Sequence, residues 1–198
     1  MQVIEPSVEV ITKLDGLLGQ IERVARTCYQ SKSCEGSTEP FVQRLVKRGH
    51  HAMLEFADVT VRIICDRGIS HELVRHRLAS YAQESTRYCK YDEIQVIKPV
   101  FWLECSPQYT IWLVHMRMAE ANYKDLILQG ASPQEARCVL PSSLKTEIVM
   151  KANIREWRHF FKLRCSKYAH PQMQEIANMI LVKLKKIPVV FEDLKCSL

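Results

Sequence analysis

Glycine is scarce in this 198-residue sequence, and none of its 6 glycines belongs to a phosphate-binding loop. Neither the GxGxxG pattern of dinucleotide-binding folds nor the GxxxxGKS pattern of P-loops occurs. A phosphorylated ligand would therefore have to be held by side chains or by helix ends.

Long apolar segments and signal-peptide features are also missing. No apolar run approaches the roughly 20 residues that cross a bilayer, and the first ten residues, MQVIEPSVEV, lack the basic and apolar regions of a signal peptide. The 8 cysteines include no CxxC pair. We therefore expect a cytoplasmic protein without a membrane partner, with reduced and mostly buried cysteines.

The composition is that of an ordinary globular protein, because 47% of the residues are hydrophobic and 25% are charged. The length suits a single domain over residues 1–198 with a substantial core. A formal net charge of +6 favours anionic partners, but charge alone does not distinguish a nucleic acid from a nucleotide.

Hydrophobic periodicity predicts helices and a strand in the first half. Apolar residues recur at helical spacing over about residues 14–28, and a second helix is expected from Thr38, as its N-cap, to Gly49. In residues 58–66, DVTVRIICD, β-branched residues alternate with polar ones, which predicts a strand with one buried face. A turn is expected at residues 66–68.

Helix signals dominate the second half. Residues 106–130 begin with a Ser-Pro pair and end with a glycine, and residues 132–135 form a capping box for a short helix. Residues 153–164, NIREWRHFFKLR, predict a helix with its aromatic side chains inside and its arginines elsewhere. A last helix is expected between the prolines of residues 171–188. Together these elements predict an α+β fold, with helices packed around a smaller mixed or antiparallel sheet.

No metal site is predicted. HELVRH, residues 71–76, places its histidines five residues apart, whereas zinc ligation from one helical face needs a spacing of four. His50, His51 and Glu55 lack further ligands, so a helix terminus with a polar contact is the favoured interpretation there.

Residues 75–88, RHRLASYAQESTRY, concentrate three arginines and a histidine around hydroxyl side chains, with Glu84 as the one acid. The planar fork of arginine suits phosphate oxygens, so a phosphorylated polar ligand fits this segment. From charge alone, a solvated face or a patch for single-stranded nucleic acid is an equal alternative. Only Tyr81 and Tyr88 offer stacking surfaces, which counts against an RNA-recognition module.

The same segment resembles the RHRxxSxxxxSxR signature of the flavin-dependent thymidylate synthases at all six fixed positions, which are Arg75, His76, Arg77, Ser80, Ser85 and Arg87. Further likeness to this family is carried by GHHAMLEF at residues 49–56, ARCVLP at residues 136–141 and the helical segment at residues 153–164. The resemblance thus extends over most of the chain.

The resemblance implies an enzyme that methylates dUMP to dTMP, with methylenetetrahydrofolate as carbon donor, NADPH as reductant and FAD as hydride relay. It also implies a homotetramer with active sites between subunits, and no nucleic-acid partner. The residues implied for FAD are Arg75, His76, Arg77, Gln83, Asn153, Arg155 and His159. Those implied for dUMP are Glu72, Arg75, Gln83, Glu84, Ser85, Thr86, Arg87, Arg137 and Arg164.

Two of these residues are assigned to the chemistry. Arg164 matches the arginine that in this family contacts the uracil and favours its ionisation at N3, which a fixed cation would promote. Ser85 matches a serine once considered as a nucleophile. A serine needs an adjacent base to attack, and Glu84 would have to be aimed at it, so we expect a positioning role for Ser85.

The sequence departs from the family pattern at three positions. Ala52 stands in place of a hydroxyl residue, Phe56 in place of histidine, and Glu72 in place of the glutamine of some members. Thymidylate synthesis through an activated thiol stays open as an alternative, because Cys165 follows Arg164 directly.

Overall fold

The computed structural model of the protein describes residues 1–28 and 30–195, and Cys196 lies outside this part. Its α-helices are α1 (Leu17–Thr27), α2 (Thr38–Lys47), α3 (Arg67–Leu73), α4 (Pro107–Leu128), α5 (Pro133–Ala136), α6 (Ile154–Arg164) and α7 (Pro171–Leu184). Its strands are β1 (Gln2–Ile4), β2 (Ser7–Val10), β3 (Asp58–Asp66), β4 (Ala79–Gln83), β5 (Gln95–Ile97) and β6 (Lys145–Asn153). Single-turn or short 3₁₀ helices cover His51–Phe56 and Arg137–Val139.

Four strands form an antiparallel sheet in the order β2-β3-β6-β4, and β1 pairs in parallel with β5. β3 and β6 pair over their whole length, and Asp58 lies opposite Asn153. On the other side of β6, Ala79 at the start of β4 lies opposite Ala152. This register brings the start of β4 and the end of β6 to the same end of the sheet.

One face of the sheet is buried under helices. Val59, Val61 and Ile63 of β3 are fully buried, whereas Arg62 between them faces solvent. The buried side chains join one hydrophobic cluster with residues of α6 and α7, among them Trp157, Phe160, Phe161, Ile176 and Ile180. Full burial of such side chains contributes about 1.5–3 kcal/mol each, so this cluster fixes α6 against the sheet.

A second cluster forms under α4. Aromatic and sulfur-containing side chains of this helix pack against residues beside β5 and β6, and the buried members are Ile94, Val96, Tyr109, Trp112, Met116 and Leu144. In the described part of the chain, none of the helices is long and apolar enough to cross a membrane.

The predicted α+β architecture is confirmed, and β3 has the predicted bounds. Ser106 caps α4 by accepting a hydrogen bond from the backbone N–H of Tyr109 at 3.2 Å, and the capping box of α5 is present. The helices expected after Asn153 and at Pro171 are α6 and α7.

The turn expected at residues 66–68 is wrong, because Asp66 ends β3 and the next residue, Arg67, begins α3. The Asp66 carboxylate accepts a hydrogen bond from the backbone N–H of Ile69 at 2.7 Å, as an N-cap does. Its other oxygen accepts from the Gln172 amide at 2.7 Å, and that contact comes from α7. Turn-forming residue types thus serve a helix here, because a distant side chain completes the cap.

The first two helices begin at other residues than predicted. α1 starts at Leu17, because Gly16 before it has a left-handed φ of 85°. Ser37 precedes α2, so Thr38 is its first residue and not its N-cap. The Thr38 hydroxyl instead donates to the buried Glu22 carboxylate at 2.6 Å, which links α2 to α1.

Two further sequence expectations need correction. Arg158 was expected to point away from the core, but it is buried and pairs with Asp193 through two hydrogen bonds of 2.7 and 2.6 Å. The cysteines are not mostly buried. Cys65 and Cys165 are buried and Cys89 is half-buried, whereas the exposed ones are Cys28, Cys34, Cys105 and Cys138.

Candidate active site

An open cleft of about 740 Å³ lies where β4 begins and β6 ends. Most of its lining side chains are charged or polar, and arginine is the commonest of them. The residues are Glu55, Arg75, His76, Arg77, Leu78, Asn153, Arg155, Glu156, His159, Leu163 and Arg164. The segment after α3 and the helix α6 therefore contribute the two main walls.

The sheet register explains why these walls meet. Because Ala79 pairs with Ala152, the residues just before β4 lie beside the residues just after β6. The Asn153 side chain accepts a hydrogen bond from the backbone N–H of Glu156 at 2.9 Å and so caps α6. The first turns of α6 then point Arg155 and His159 into the same cleft.

Arg164 is held at both edges of its guanidinium. Its Nε donates to Nε2 of His76 at 3.0 Å, and its Nη1 donates to the Glu72 carboxylate at 2.9 Å. Nη2 donates to the backbone oxygen of Glu72 at 3.2 Å. The side chain is 20% exposed, so the cation is fixed in place and still reachable from the cleft.

His76 connects Arg164 to a buried acid. Its Nδ1 lies 3.1 Å from the Glu156 carboxylate, and both side chains are almost fully buried. Burial lowers the pKa of His76, and the positive charge of Arg164 acts in the same direction, while Glu156 opposes them. We therefore assign the neutral imidazole to this position.

Tyr81 fixes the segment between α3 and β4. Its hydroxyl oxygen lies 2.7 Å from the Leu73 carbonyl oxygen and 2.9 Å from that of His76. Burial raises the pKa of Tyr81 to about 12, so the phenol stays protonated and able to donate.

His76, Glu156 and His159 each place one potential metal-ligand atom within 4.8 Å of the other two. Both ring nitrogens of His76 already have partners, however, and the Arg164 cation is one of them. A metal ion would have to displace such a partner and approach a fixed positive charge. Among residues 1–28 and 30–195, no other such group occurs, so His50, His51 and Glu55 do not form one.

A second set of predicted residues lies at the far end of β4. The Gln83 amide donates to the Ser70 hydroxyl at 2.8 Å, and Arg137 donates to the Thr86 hydroxyl at 3.4 Å. Glu84 follows the last residue of β4. With a rise of about 3.3 Å per residue, the six steps from Leu78 to Glu84 span roughly 20 Å.

The Glu84 carboxylate is hydrogen-bonded to two residues that the sequence analysis did not identify as site residues. Its carboxylate accepts hydrogen bonds from the Tyr91 hydroxyl at 2.6 Å and from the Lys145 ammonium at 2.7 Å. The Ser85 oxygen accepts from the backbone N–H of Arg87 at 3.3 Å. Because Glu84 is turned to other donors, this geometry supports a positioning role for Ser85 and not a nucleophilic one.

The predicted site residues thus divide into two groups. Those in the cleft are Arg75, His76, Arg77, Asn153, Arg155, His159 and Arg164, and Glu72 contacts Arg164. Those at the far end of β4 are Gln83, Glu84, Ser85, Thr86, Arg87 and Arg137. Their individual ligand contacts stay predictions.

Sequence reasoning missed Glu55 and Glu156 as parts of the cleft. Glu55 pairs with Arg155 at 2.5 Å, and the family resemblance of GHHAMLEF contains this residue but assigns it no role. For Glu156 a local signal was present, because Asn-x-x-Glu at the start of a helix is a capping pattern. That pattern points to the helix end, but it does not reveal the contact with His76.

Two of the three departures from the family pattern and the buried thiols lie outside this lining, whereas the third departure, Glu72, contacts Arg164. Phe56 is half-exposed, and Ala52 lines a separate cavity of about 290 Å³. Burial raises the pKa of Cys65 far above its ordinary value, which is the opposite of an activated thiol. Cys165 is also buried.

Comparisons with known proteins agree with this arrangement. Residues 9–188 match the family model described as thymidylate synthase complementing protein. A flavin-dependent thymidylate synthase of Mycolicibacterium gilvum is 32% identical over 214 residues, covering 97% of this chain and 85% of that protein. Another from Pyrococcus furiosus is 36% identical over 157 residues, covering 77% of this chain and 64% of that protein.

Among solved structures, a UMP/dUMP methylase from Streptomyces cacaoi bound with 5-Br dUMP is similar, with a TM-score of 0.79. It covers 97% of this chain and 96% of its own, at 22% identity, and therefore supports the fold. The family model and the relatives above 30% identity both cover most of the sequence. The chain therefore belongs to the family of thymidylate synthase complementing proteins, together with the flavin-dependent thymidylate synthases.

Proposed function

We propose that this protein methylates dUMP to dTMP as a flavin-dependent thymidylate synthase, with methylenetetrahydrofolate as one-carbon donor and NADPH as reductant. The observation that carries this proposal is that residues 75–77 and α6 meet in one cleft, where hydrogen bonds hold the Arg164 side chain. The relatives named for this activity support it. Nothing in these comparisons favours the nucleic-acid-binding alternative.

The cleft fits a flavin dinucleotide in size and charge. Its volume of about 740 Å³ lies in the usual range for cofactor sites. Arg75, Arg77 and Arg155 supply guanidinium groups for a pyrophosphate, which replaces the missing glycine-rich loop. A flavin bound there would supply hydride transfer.

Arg164 is the residue that we assign to uracil activation. A one-carbon unit can attach to C5 of uracil only when the ring is electron-rich, as it is after loss of the N3 proton. The two-edged contact with His76 and Glu72 holds the Arg164 cation in one orientation before a ligand arrives. A preorganised cation stabilises developing negative charge without reorganisation cost.

The far end of β4 supplies the second set of nucleotide-binding groups. Gln83, Thr86 and Arg137 lie there, at the end of β4 opposite the one that adjoins the cleft. We infer that a nucleotide receives the two groups from two copies of the chain, as the family resemblance implies. This arrangement supports the homotetramer with shared sites that the family resemblance implies. The single-domain and cytoplasmic assignments also stay predictions.

The decisive experiment is an anaerobic absorption titration of the purified protein with FAD, then NADPH, with and without dUMP. We expect FAD to bind and its visible band to bleach on addition of NADPH in a manner that depends on dUMP. Single-stranded DNA replaces dUMP in the control and should not promote reduction. Failure to bind or reduce FAD, combined with salt-sensitive DNA binding, would support the nucleic-acid-binding alternative.

A further inference from the structure

A continuous chain of polar contacts runs from the core to the cleft through Glu156, His76 and Arg164. Glu156 is 5% exposed and His76 is 6% exposed, so water does not compete for their contact. The two distances along the chain are 3.1 Å from Glu156 to Nδ1 and 3.0 Å from Nε2 to Arg164 Nε. The chain ends at Glu72, on the opposite edge of the guanidinium.

The hydrogen-bonding roles in this chain follow from arginine chemistry. A guanidinium only donates, so Nε2 of His76 must present its lone pair to Arg164. The one hydrogen of the neutral ring then sits on Nδ1 and is donated to Glu156. If His76 were the other tautomer or doubly protonated, two N–H groups would face each other at Arg164.

Glu156 is the only described acid in hydrogen-bonding contact with the His76 ring, so its carboxylate selects the tautomer that Arg164 requires. His159 approaches the same ring edge-on, with centroids 6.1 Å apart, and Phe160 packs at 5.0 Å. Aromatic contacts limit how far the ring can turn, but they do not distinguish its nitrogens. Glu156 and Arg164 do so, because the acid accepts the hydrogen on Nδ1 and the guanidinium needs the lone pair on Nε2.

We propose that Glu156 is a positioning residue for uracil activation, which acts through the tautomer of His76 to aim the guanidinium of Arg164. The inference rests on the proposed function, because Arg164 is the residue assigned to the uracil. Glu156 itself touches neither ligand in this assignment. Loss of an acid that orients a metal-binding histidine costs about 10- to 100-fold in activity, and we expect a loss of similar size here.

Three substitutions separate this role from simple packing. Glu156→Leu fills the space but removes the acceptor for Nδ1–H. Glu156→Gln restores an acceptor through its amide oxygen. Glu22→Leu is the matched control, because Glu22 is 4% exposed and hydrogen-bonded to Ser37 and Thr38, away from the cleft lining.

We expect kcat for dTMP formation, measured at saturating FAD, to fall about 10- to 100-fold in Glu156→Leu and to return to within a few-fold in Glu156→Gln. Glu22→Leu should lower thermal stability while kcat per flavin-loaded site stays unchanged. Equal losses in the Leu and Gln variants of Glu156, or an equal loss of kcat in Glu22→Leu, would overturn the proposal.

A second readout does not depend on turnover. Ring-nitrogen NMR of the ¹⁵N-histidine-labelled protein, with the His76 signals assigned by their absence in His76→Gln, reports which nitrogen carries the hydrogen. We expect Nδ1–H in the wild type and a smaller Nδ1–H fraction in Glu156→Leu, where Arg164 alone favours that tautomer. A wild-type ring protonated on Nε2 at neutral pH would overturn the proposal. If the wild type forms no dTMP, the proposed function fails, and this spectrum still decides the tautomer.

Discussion

Arg164 shows how one residue can be fixed and accessible at once. Its Nε contacts His76 and its Nη atoms contact Glu72, so both edges of the guanidinium are held before any ligand binds. Arg77 lines the same cleft but is exposed. This difference agrees with the roles proposed for them, which are the uracil ring for Arg164 and the cofactor phosphates for Arg77.

This difference predicts different losses for two alanine variants. Arg164→Ala should lower kcat for dTMP formation about 100- to 1000-fold and keep FAD bound, because it removes a preorganised charge from the reaction. Arg77→Ala should instead weaken FAD binding roughly tenfold or more, as expected for a lost charged hydrogen bond. A dTMP assay at saturating FAD measures the loss of kcat, and a fluorescence titration with FAD measures the loss of FAD binding.

Arg62→Ala is the control for both variants, because Arg62 is solvent-facing and pairs with Glu147 on the outer face of the sheet. It should match the wild type in both assays. Normal turnover of Arg164→Ala would show that another group activates the uracil.

At the scale of elements, local patterns sufficed for β3 and α6 and failed for α3. Alternating β-branched residues define β3, and aromatic residues three and four apart define the buried face of α6. The start of α3 depends on Asp66, whose second oxygen is bound by Gln172 from 106 positions away. The same limit applies to Glu156, which meets His76 across 80 positions and so escapes any sequence window.

Asn153 both caps α6 and lines the cleft, and these two roles can be separated by substitution. Asn153→Ala removes the cap of α6 and should lower the stability of the FAD-free protein by about 1 kcal/mol. Asn153→Asp keeps an acceptor for the Glu156 N–H but adds a negative charge beside the cleft arginines. We expect it to retain stability and still bind FAD more weakly.

Thermal unfolding without FAD and titration with FAD distinguish these outcomes for the two Asn153 variants. If Asn153→Asp binds FAD as tightly as the wild type, then Asn153 only caps the helix.

At the scale of the whole molecule, the antiparallel pairing of β4 with β6 separates the two groups of site residues. The signature RHRLASYAQESTRY spans β4, so its first residues lie at the cleft and its last residues lie at the other end of the strand. The first and last residues of this one motif therefore lie at opposite ends of a strand. The sequence could identify both groups, but only the strand pairing shows that they lie at opposite ends of β4.

This separation predicts that two inactive variants complement each other when they assemble together. Arg77→Ala damages the cleft and Arg137→Ala damages the group at the far end of β4, so each alone should lose dTMP formation. In mixed oligomers formed by equal co-expression, a shared site takes its cleft from one subunit and its far-end group from another. Each of these two groups has a one-in-two chance of being undamaged. Up to about a quarter of wild-type activity should then return.

Sites built within one subunit would restore none, so an inactive mixture with confirmed hetero-oligomers would contradict the shared site. The double variant Arg77→Ala with Arg137→Ala, co-expressed with wild type, controls for dilution, because its activity measures how far a damaged partner suppresses intact groups.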